Sequence, residues 1–294
     1  FLAATPGRSD VLPAELRSGY TLGRSGPASG DWCWFEAATP GEPNASPCLE
    51  GVVATPDVWP ASGHFDAAPT VTVSSGVLSG PPGQPQPAVV FRYTTDGAEP
   101  TAASPVFMGS WTPSATGILS VRAFAEGWAP SATVDRTYFI SEPASPLEQV
   151  SIVTHPDHLW DWESGIYVMG PNAGEEYPHL GANFWQPWSR ESRLHWFGEG
   201  GELVATSRFD LEIHGGWSRA EPQRSFRLDF KPKWTGKLDH AVFPSKPDIT
   251  AFGNLNLRNG GQASWENKIQ DAFISELALG THAVASAWRP VEVY

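Results

Sequence analysis

Apolar and polar positions follow different rhythms in successive parts of the chain. Short runs of strict alternation occur at residues 70–74, 89–95, 118–125 and 133–140, the period of a strand with one buried face. Asp96-Gly97 supplies a hairpin turn and Gly80-Pro81-Pro82-Gly83 breaks the chain between runs. This spacing predicts a small antiparallel sandwich of immunoglobulin-like type. Further strands are predicted at 149–154, 193–197, 203–207, 209–213, 224–230 and 255–258, with Gly198-Glu199-Gly200-Gly201 as a turn and loops at 170–188 and 244–253. They make a mostly antiparallel sheet of about five or six strands. One stretch changes period: Trp265, Ile269, Ala272, Phe273 and Leu277 recur at helical spacing, with Ser264 as N-cap, Glu266 in the first turn and Gly280 as the stop. The fold class expected is mainly β, becoming α+β in the C-terminal half, where one helix packs on the sheet through this stripe.

Residues 1–58 lack sustained periodicity and carry two related words, F-L-A-A-T-P-G-R-S and F-E-A-A-T-P-G-E-P-N. The linker S-E-P-A-S-P then separates a sandwich domain at 60–141 from a sheet domain at 147–294. At 294 residues the chain is long enough for several cores. The 29 glycines, 28 prolines and 12% aromatics fit a chain of many turns and strands. A formal net charge of −13 excludes nucleic-acid binding through bulk electrostatics, and no apolar run is long enough to predict a membrane span. Cys33 and Cys48 are the two cysteines, and a local disulfide is the natural reading for a protein of extracellular or cell-surface location; two surface thiols are the alternative. Asn44-Ala45-Ser46 matches a glycosylation sequon. The chain opens on Phe1 and stops at Tyr294 inside a strand-like word, so a fragment of a longer protein is expected.

The chemistry concentrates at one loop. A strand ends at His214, and Gly215, Gly216, Trp217, Ser218 and Arg219 follow before the next strand opens at Arg224. Two glycines let the backbone approach a ligand and offer amides to an anion, with Arg219 and Arg224 supplying charge. The same residues also suit a hairpin loop with solvated arginines. His155 and His158 do not make a metal site, because zinc requires three or four convergent ligands. Asp157 is placed to N-cap the turn holding Leu159 and Trp160. Asp96 and Glu99 form no catalytic carboxylate pair. Glu276 falls on the apolar side of the predicted helix, where it either meets a partner or reaches solvent near the helix end.

The words I-H-G-G-W-S-R and P-Q-R-S-F-R-L resemble the signature of the CotH kinases, atypical protein kinases first associated with bacterial spore coats. The opening H-P-D-H-L-W-D-W-E-S-G-I-Y is similar to the start of their domain, and the likeness extends over 147–294. It implies a kinase-like N-lobe in which His214, Gly215, Gly216, Ser218 and Arg219 form the nucleotide-phosphate loop. Arg224 stands where the family usually carries lysine, and Glu276 is the candidate helix acid to pair with it. It also implies ATP and Mg²⁺ as cofactors of the intact family domain and a secreted or surface protein as substrate. Catalytic residues are unassigned, since the lobe bearing the family's aspartates would lie beyond Tyr294. F-R-Y-T-T-D-G-A-E-P-T and V-R-A-F-A-E-G-W-A-P-S-A-T-V closely resemble the C-terminal module of chitobiase and β-hexosaminidase, so Trp111 and Trp128 become candidate sugar-stacking rings. T-P-G-E-P-N resembles the end of lamin-tail domains. The other function class is a non-catalytic adhesion or wall-binding protein that uses the kinase-like sheet as a scaffold and the sandwich for carbohydrate.

Overall fold

A computed structural model describes residues 20–25, 32–44, 47–75, 87–143, 145–234, 236–261, 266–279 and 281–294. The first of the two related N-terminal words and the Gly80–Gly83 break lie outside them, as do Ala45 and Ser46 of the sequon. The described part opens with an antiparallel ribbon, β1 (Thr21–Arg24) on β2 (Trp32–Phe35). Cys33 of β2 is disulfide-bonded to Cys48, with their Cα atoms 5.1 Å apart.

A β-sandwich follows, built from β3 (Pro56–Trp59), β4 (Gly63–Phe65), β5 (Val71–Ser75), β6 (Val90–Thr94), β7 (Ser110–Trp111), β8 (Gly117–Phe124) and β9 (Val134–Ile140). One sheet has the order β3-β5-β7 and the other β4-β9-β8-β6. Val58, Val71, Leu119, Val121 and Tyr138 interdigitate between them, every one at most 2% exposed. The sequence pattern predicted the strands with long alternation; β3, β4 and β7 are too short to show one. At the expected turn, Asp96 accepts the Ala98 amide (3.0 Å) and the chain returns along β6 through an isolated Arg92–Val106 bridge.

The second unit is a six-stranded sheet of order β16-β13-β12-β11-β10-β17. Its strands are β10 (Glu148–Val153), β11 (Ser189–Phe197), β12 (Leu203–His214), β13 (Ser225–Asp229), β16 (Asn254–Leu257) and β17 (Val291–Val293), with the small pair β14 (Leu238–Asp239) and β15 (Ala251–Phe252) beside it. All neighbours are antiparallel except β10 and β17. The two runs expected at 203–207 and 209–213 are one strand, β12. One face carries Val150, Leu194, Trp196, Phe209, Leu211 and Leu228 into a large apolar core, closed by Ile166, Phe184 and Val242 from the connecting segments.

The opposite face lies against the sandwich through polar residues. Thr137 of β9 contacts His195 Nδ1 at 2.8 Å and Ser151 at 3.1 Å, and Asp135 pairs with Arg193 at 2.7 Å. Phe139 meets Phe197 edge to face, their centroids 5.1 Å apart. Gly97, at φ +88°, permits the closest approach: a Cβ there would sit 2.2 Å from the Thr154 carbonyl oxygen.

Among the described residues, two short α-helices accompany the sheets. In α1 (Pro156–Trp160) the N-cap is His155, whose Nδ1 accepts the Asp157 amide (3.1 Å), correcting the expectation that Asp157 caps it. His158 instead contacts Thr154 Oγ1 at 2.8 Å. The other, α2, spans Gln270–Ala278 and follows Ile269, which gives no side-chain cap; Ser264, Trp265 and Gly280 lie outside the described residues. Its apolar stripe does not face the sheet. Ile269, Phe273 and Leu277 are 65%, 59% and 64% exposed, and no residue of α2 is buried. Its recorded side-chain ties are polar, Arg258 to Asp271 at one end and Trp288 Nε1 to Glu276 (3.3 Å) at the other, so Glu276 meets solvent rather than a sheet cation.

Candidate functional site

The glycine loop after β12 shapes a cavity of about 480 Å³. His214 ends the strand, and Gly215 turns at φ +114°, where a Cβ would come within 2.6 Å of the Ser218 hydroxyl. A single 3₁₀ turn, Trp217–Ala220, then carries the chain towards β13. The facing wall is a second glycine pair, Gly260 and Gly261, which follows β16 with φ of +93° and +64°. Asn259 holds the two loops in register. Its Oδ1 accepts from Ser225 Oγ (2.8 Å) and from the Gly261 amide (3.0 Å), while its Nδ2 donates to the Gln223 carbonyl (2.6 Å). The side chain is 2% exposed, so these bonds are made away from water and are costly to lose.

Charge enters from residues that the sequence motif did not nominate. Arg258 lines the cavity and pairs with Asp271 of α2, which with Gln270 and Ile274 forms the third wall. His214 is held below its usual pKa, first by burial and then by Arg258, Arg219 and Arg227, so its ring is neutral at neutral pH. The cavity thus offers backbone amides, the hydroxyl of Ser218, an imidazole and the Arg258 guanidinium, while the Ser225 hydroxyl is taken up by Asn259. Among the described residues of the lining Asp271 is the only carboxylate, and it is already engaged by Arg258.

Of the residues expected here, His214, Gly215, Gly216 and Ser218 come together in the lining; Arg219 and Arg224 do not. Arg219 folds back to donate to the carbonyls of Gly215 (2.6 Å) and Phe184 (3.3 Å), bracing the loop from behind. Arg224 lays its guanidinium over the rings of Phe184 (4.2 Å) and Tyr167 (4.7 Å). Its backbone amide donates to the Tyr167 hydroxyl at 3.0 Å. Stacking on two aromatic faces holds the guanidinium without an anion, although its Nε is buried with no hydrogen-bond partner among the described residues. The missed residues, Arg258, Gly260 and Gly261, stand in the word R-N-G-G directly after a strand. A Gly-Gly pair behind a strand was the signal at 215–216 too, and applied twice it would have found both walls.

No group of three or more His, Cys, Asp or Glu residues that could hold a metal occurs among the described residues. In the sandwich, Trp128 is 7% exposed and covered by Gly51, and Trp111 is half-buried against Tyr138 (6.3 Å); both serve packing. The exposed sandwich tryptophan is Trp59, at 67%.

The family model described as the chitobiase/beta-hexosaminidase C-terminal domain matches residues 60–135. No match was found among curated proteins or solved structures. Residues 60–135, which carry the sandwich from just after β3 into β9, therefore form a chitobiase/beta-hexosaminidase C-terminal-like domain.

Proposed function

We propose that the six-stranded unit is the nucleotide-phosphate-binding part of a CotH-type, ATP-dependent protein kinase belonging to a secreted or surface protein. The observation that supports this most is the convergence of two Gly-Gly strand ends on one cavity that also holds Arg258. Amides of such loops and a guanidinium are the groups that hold a phosphate chain, and positioning with charge stabilisation is most of what phosphoryl transfer asks of a protein. ATP phosphates would lie against the amides near Gly215, Gly216 and Gly260, with Ser218 as a hydroxyl donor and Arg258 as the cation. Arg224 would support the loop from beneath. The donor set does not fit Mg²⁺, since the one carboxylate among its described residues is bound to Arg258.

Titration calorimetry with ATP and with inorganic triphosphate tests this reading. Arg258→Ala is expected to weaken both about tenfold or more, the loss of one charged partner. Loss of binding on Arg224→Ala with retention in Arg258→Ala would move the site elsewhere. With catalytic residues unassigned, phosphate transfer from ATP by this chain alone is expected to be absent.

A second reading draws support from the matched domain: a non-catalytic adhesion or wall-binding protein, with a lamin-tail-like segment before the sandwich and carbohydrate as its partner. The disulfide at Cys33–Cys48 suits an extracellular setting in either case.

A further inference from the structure

The segment from His155 to Ala182 contains Asp157, Asp161, Glu163, Glu175 and Glu176 and neither lysine nor arginine. Large aromatic rings stand out of it into solvent. Trp160 and Trp162 are each 58% exposed and Tyr177 is 53% exposed, and Trp217 of the glycine loop joins them at 62%. Side chains of this size are rarely left in water in such numbers on one surface unless something covers them.

Contacts beneath the rings link them into one surface and fix it. Tyr177 and Trp217 meet edge to face at 6.1 Å, and the Tyr177 hydroxyl donates to Glu221 at 3.1 Å. Next to Glu221, the Pro222 carbonyl accepts from the hydroxyl of Tyr167, whose ring backs Trp160 at 5.1 Å. Asn183 ties down the other end, donating to the carbonyls of Trp162 and Gly165, both at 3.1 Å. The platform is therefore ordered before any partner arrives, which lowers the entropy cost of binding.

Its polar equipment is two-sided. Among the described residues, none pairs with the indole N–H of Trp160, Trp162 or Trp217, and none pairs with the carboxylates of Glu163, Glu175 or Glu176. Flat apolar rings bordered by free donors and free acceptors match a pyranose, which is apolar across one face and carries hydroxyls around its edge. The carboxylates would repel a sulfated or uronic glycan. A lysine-rich peptide would meet the acids with its ammonium groups and the indoles with its carbonyls, but it has no flat apolar face to lay on the rings.

We propose that this surface binds a neutral polysaccharide chain through Trp160, Trp162, Tyr177 and Trp217. It is separate from the sandwich; Trp217 also lines the cavity assigned to phosphate, whereas Trp160, Trp162 and Tyr177 lie outside that lining, and the tests rest on those. The test is tryptophan fluorescence and calorimetry on the full chain with cellohexaose, chitohexaose and mannohexaose, alongside polygalacturonate and a decalysine peptide. At least one neutral hexasaccharide is expected to bind, and Trp160→Ala and Trp162→Ala are each expected to weaken it about tenfold, the usual effect of truncating an aromatic anchor. Their circular dichroism and thermal melts are expected to match the parent, and Arg258→Ala is expected to leave sugar binding unchanged. Binding by none of the three neutral sugars overturns the proposal. So does binding that survives both tryptophan changes but is lost on Trp59→Ala, or binding of decalysine alone.

Discussion

The two faces of the six-stranded sheet are buried by different means. On one, Val150, Leu194 and Trp196 enter an apolar core, and Ile152 packs partly buried against it. On the other, the same strands present Gln149, Ser151, Arg193 and His195, and these are as well hidden, between 2% and 9% exposed. Burial there is compatible with stability because each polar group finds a partner on the sandwich or beside it: Gln149 meets His64 at 2.5 Å, Ser151 and His195 meet Thr137, and Arg193 meets Asp135 and the Gly97 carbonyl. One face gains from removing hydrocarbon from water; the other holds the two units in a single orientation, and its stability depends on completeness.

The apolar face should tolerate truncation least. Trp196 is 2% exposed and donates from Nε1 to Glu148 (2.6 Å), which also binds Arg289 (2.7 Å). Trp196→Ala combines a cavity with the loss of one of the two bonds to Glu148 and is expected to cost about 4–5 kcal/mol in urea unfolding. A loss below about 1 kcal/mol would mean that this core is not the main support of the sheet.

On the polar face, the side chains of Arg193 and Asp135 are 11% and 8% exposed, and Asp135 also accepts from Ser120 at 2.6 Å. Asp135→Ala leaves a buried guanidinium short of its anion, at an expected cost of about 3–4 kcal/mol. Replacing both, as Asp135→Leu with Arg193→Met, should recover most of that loss if the face acts by completeness rather than by ionic attraction. Failure of the double variant to recover would show that the pair itself supplies the stability.

The same face gives the chain an acid-sensitive seam. Burial drives the pKa of His195 down to about 4 from a usual 6.5, with Asp135 opposing and Arg136 and Arg193 adding to the fall. The unfolded chain therefore takes up this proton first as pH drops. The contribution of His195 is fully present above about pH 6.5 and is lost progressively as pH falls through 4, by up to roughly 3 kcal/mol. His195→Gln, which cannot titrate, should flatten that part of the profile in melts taken between pH 4 and 7. An unchanged slope would assign the acid sensitivity to other groups.

These outcomes also mark what could be read in the sequence. Alternation at Leu194 and Trp196 announced the apolar face directly. At Arg193 and His195 the same alternation reads as a solvent face, because period says which residues share a side and not what lies over it. The glycine loop was legible for a similar reason: Gly215 and Gly216 act on their own backbone, opening conformations such as the φ of +114° at Gly215, whereas the destination of a long side chain is decided by distant partners. Arg224 was captured by Tyr167 and Phe184 from a loop far away in sequence, and Arg258 took the place beside the cavity.

The helix α2 carries that lesson to its limit and gives the smallest expected effect. Its helical period was legible, and so was the apolar stripe, but the stripe meets water. Phe273 and Leu277 are 59% and 64% exposed, so their truncation removes little hydrocarbon from a packed environment. Phe273→Ser is expected to change global stability by less than about 0.5 kcal/mol, the range of ordinary surface substitutions. By contrast, Asp271→Asn breaks the tie between α2 and Arg258 and should speed amide exchange across 270–278, because that tie is the link recorded between the helix and the end of β16. The comparison is sharp: Phe273 and Trp196 are both large aromatic residues in regular elements, one on an uncovered helix and one beneath a sheet. Urea unfolding of the two variants side by side should separate them by about 4 kcal/mol. If Phe273→Ser costs as much as Trp196→Ala, the stripe of α2 is buried in solution and the helix belongs to the core after all.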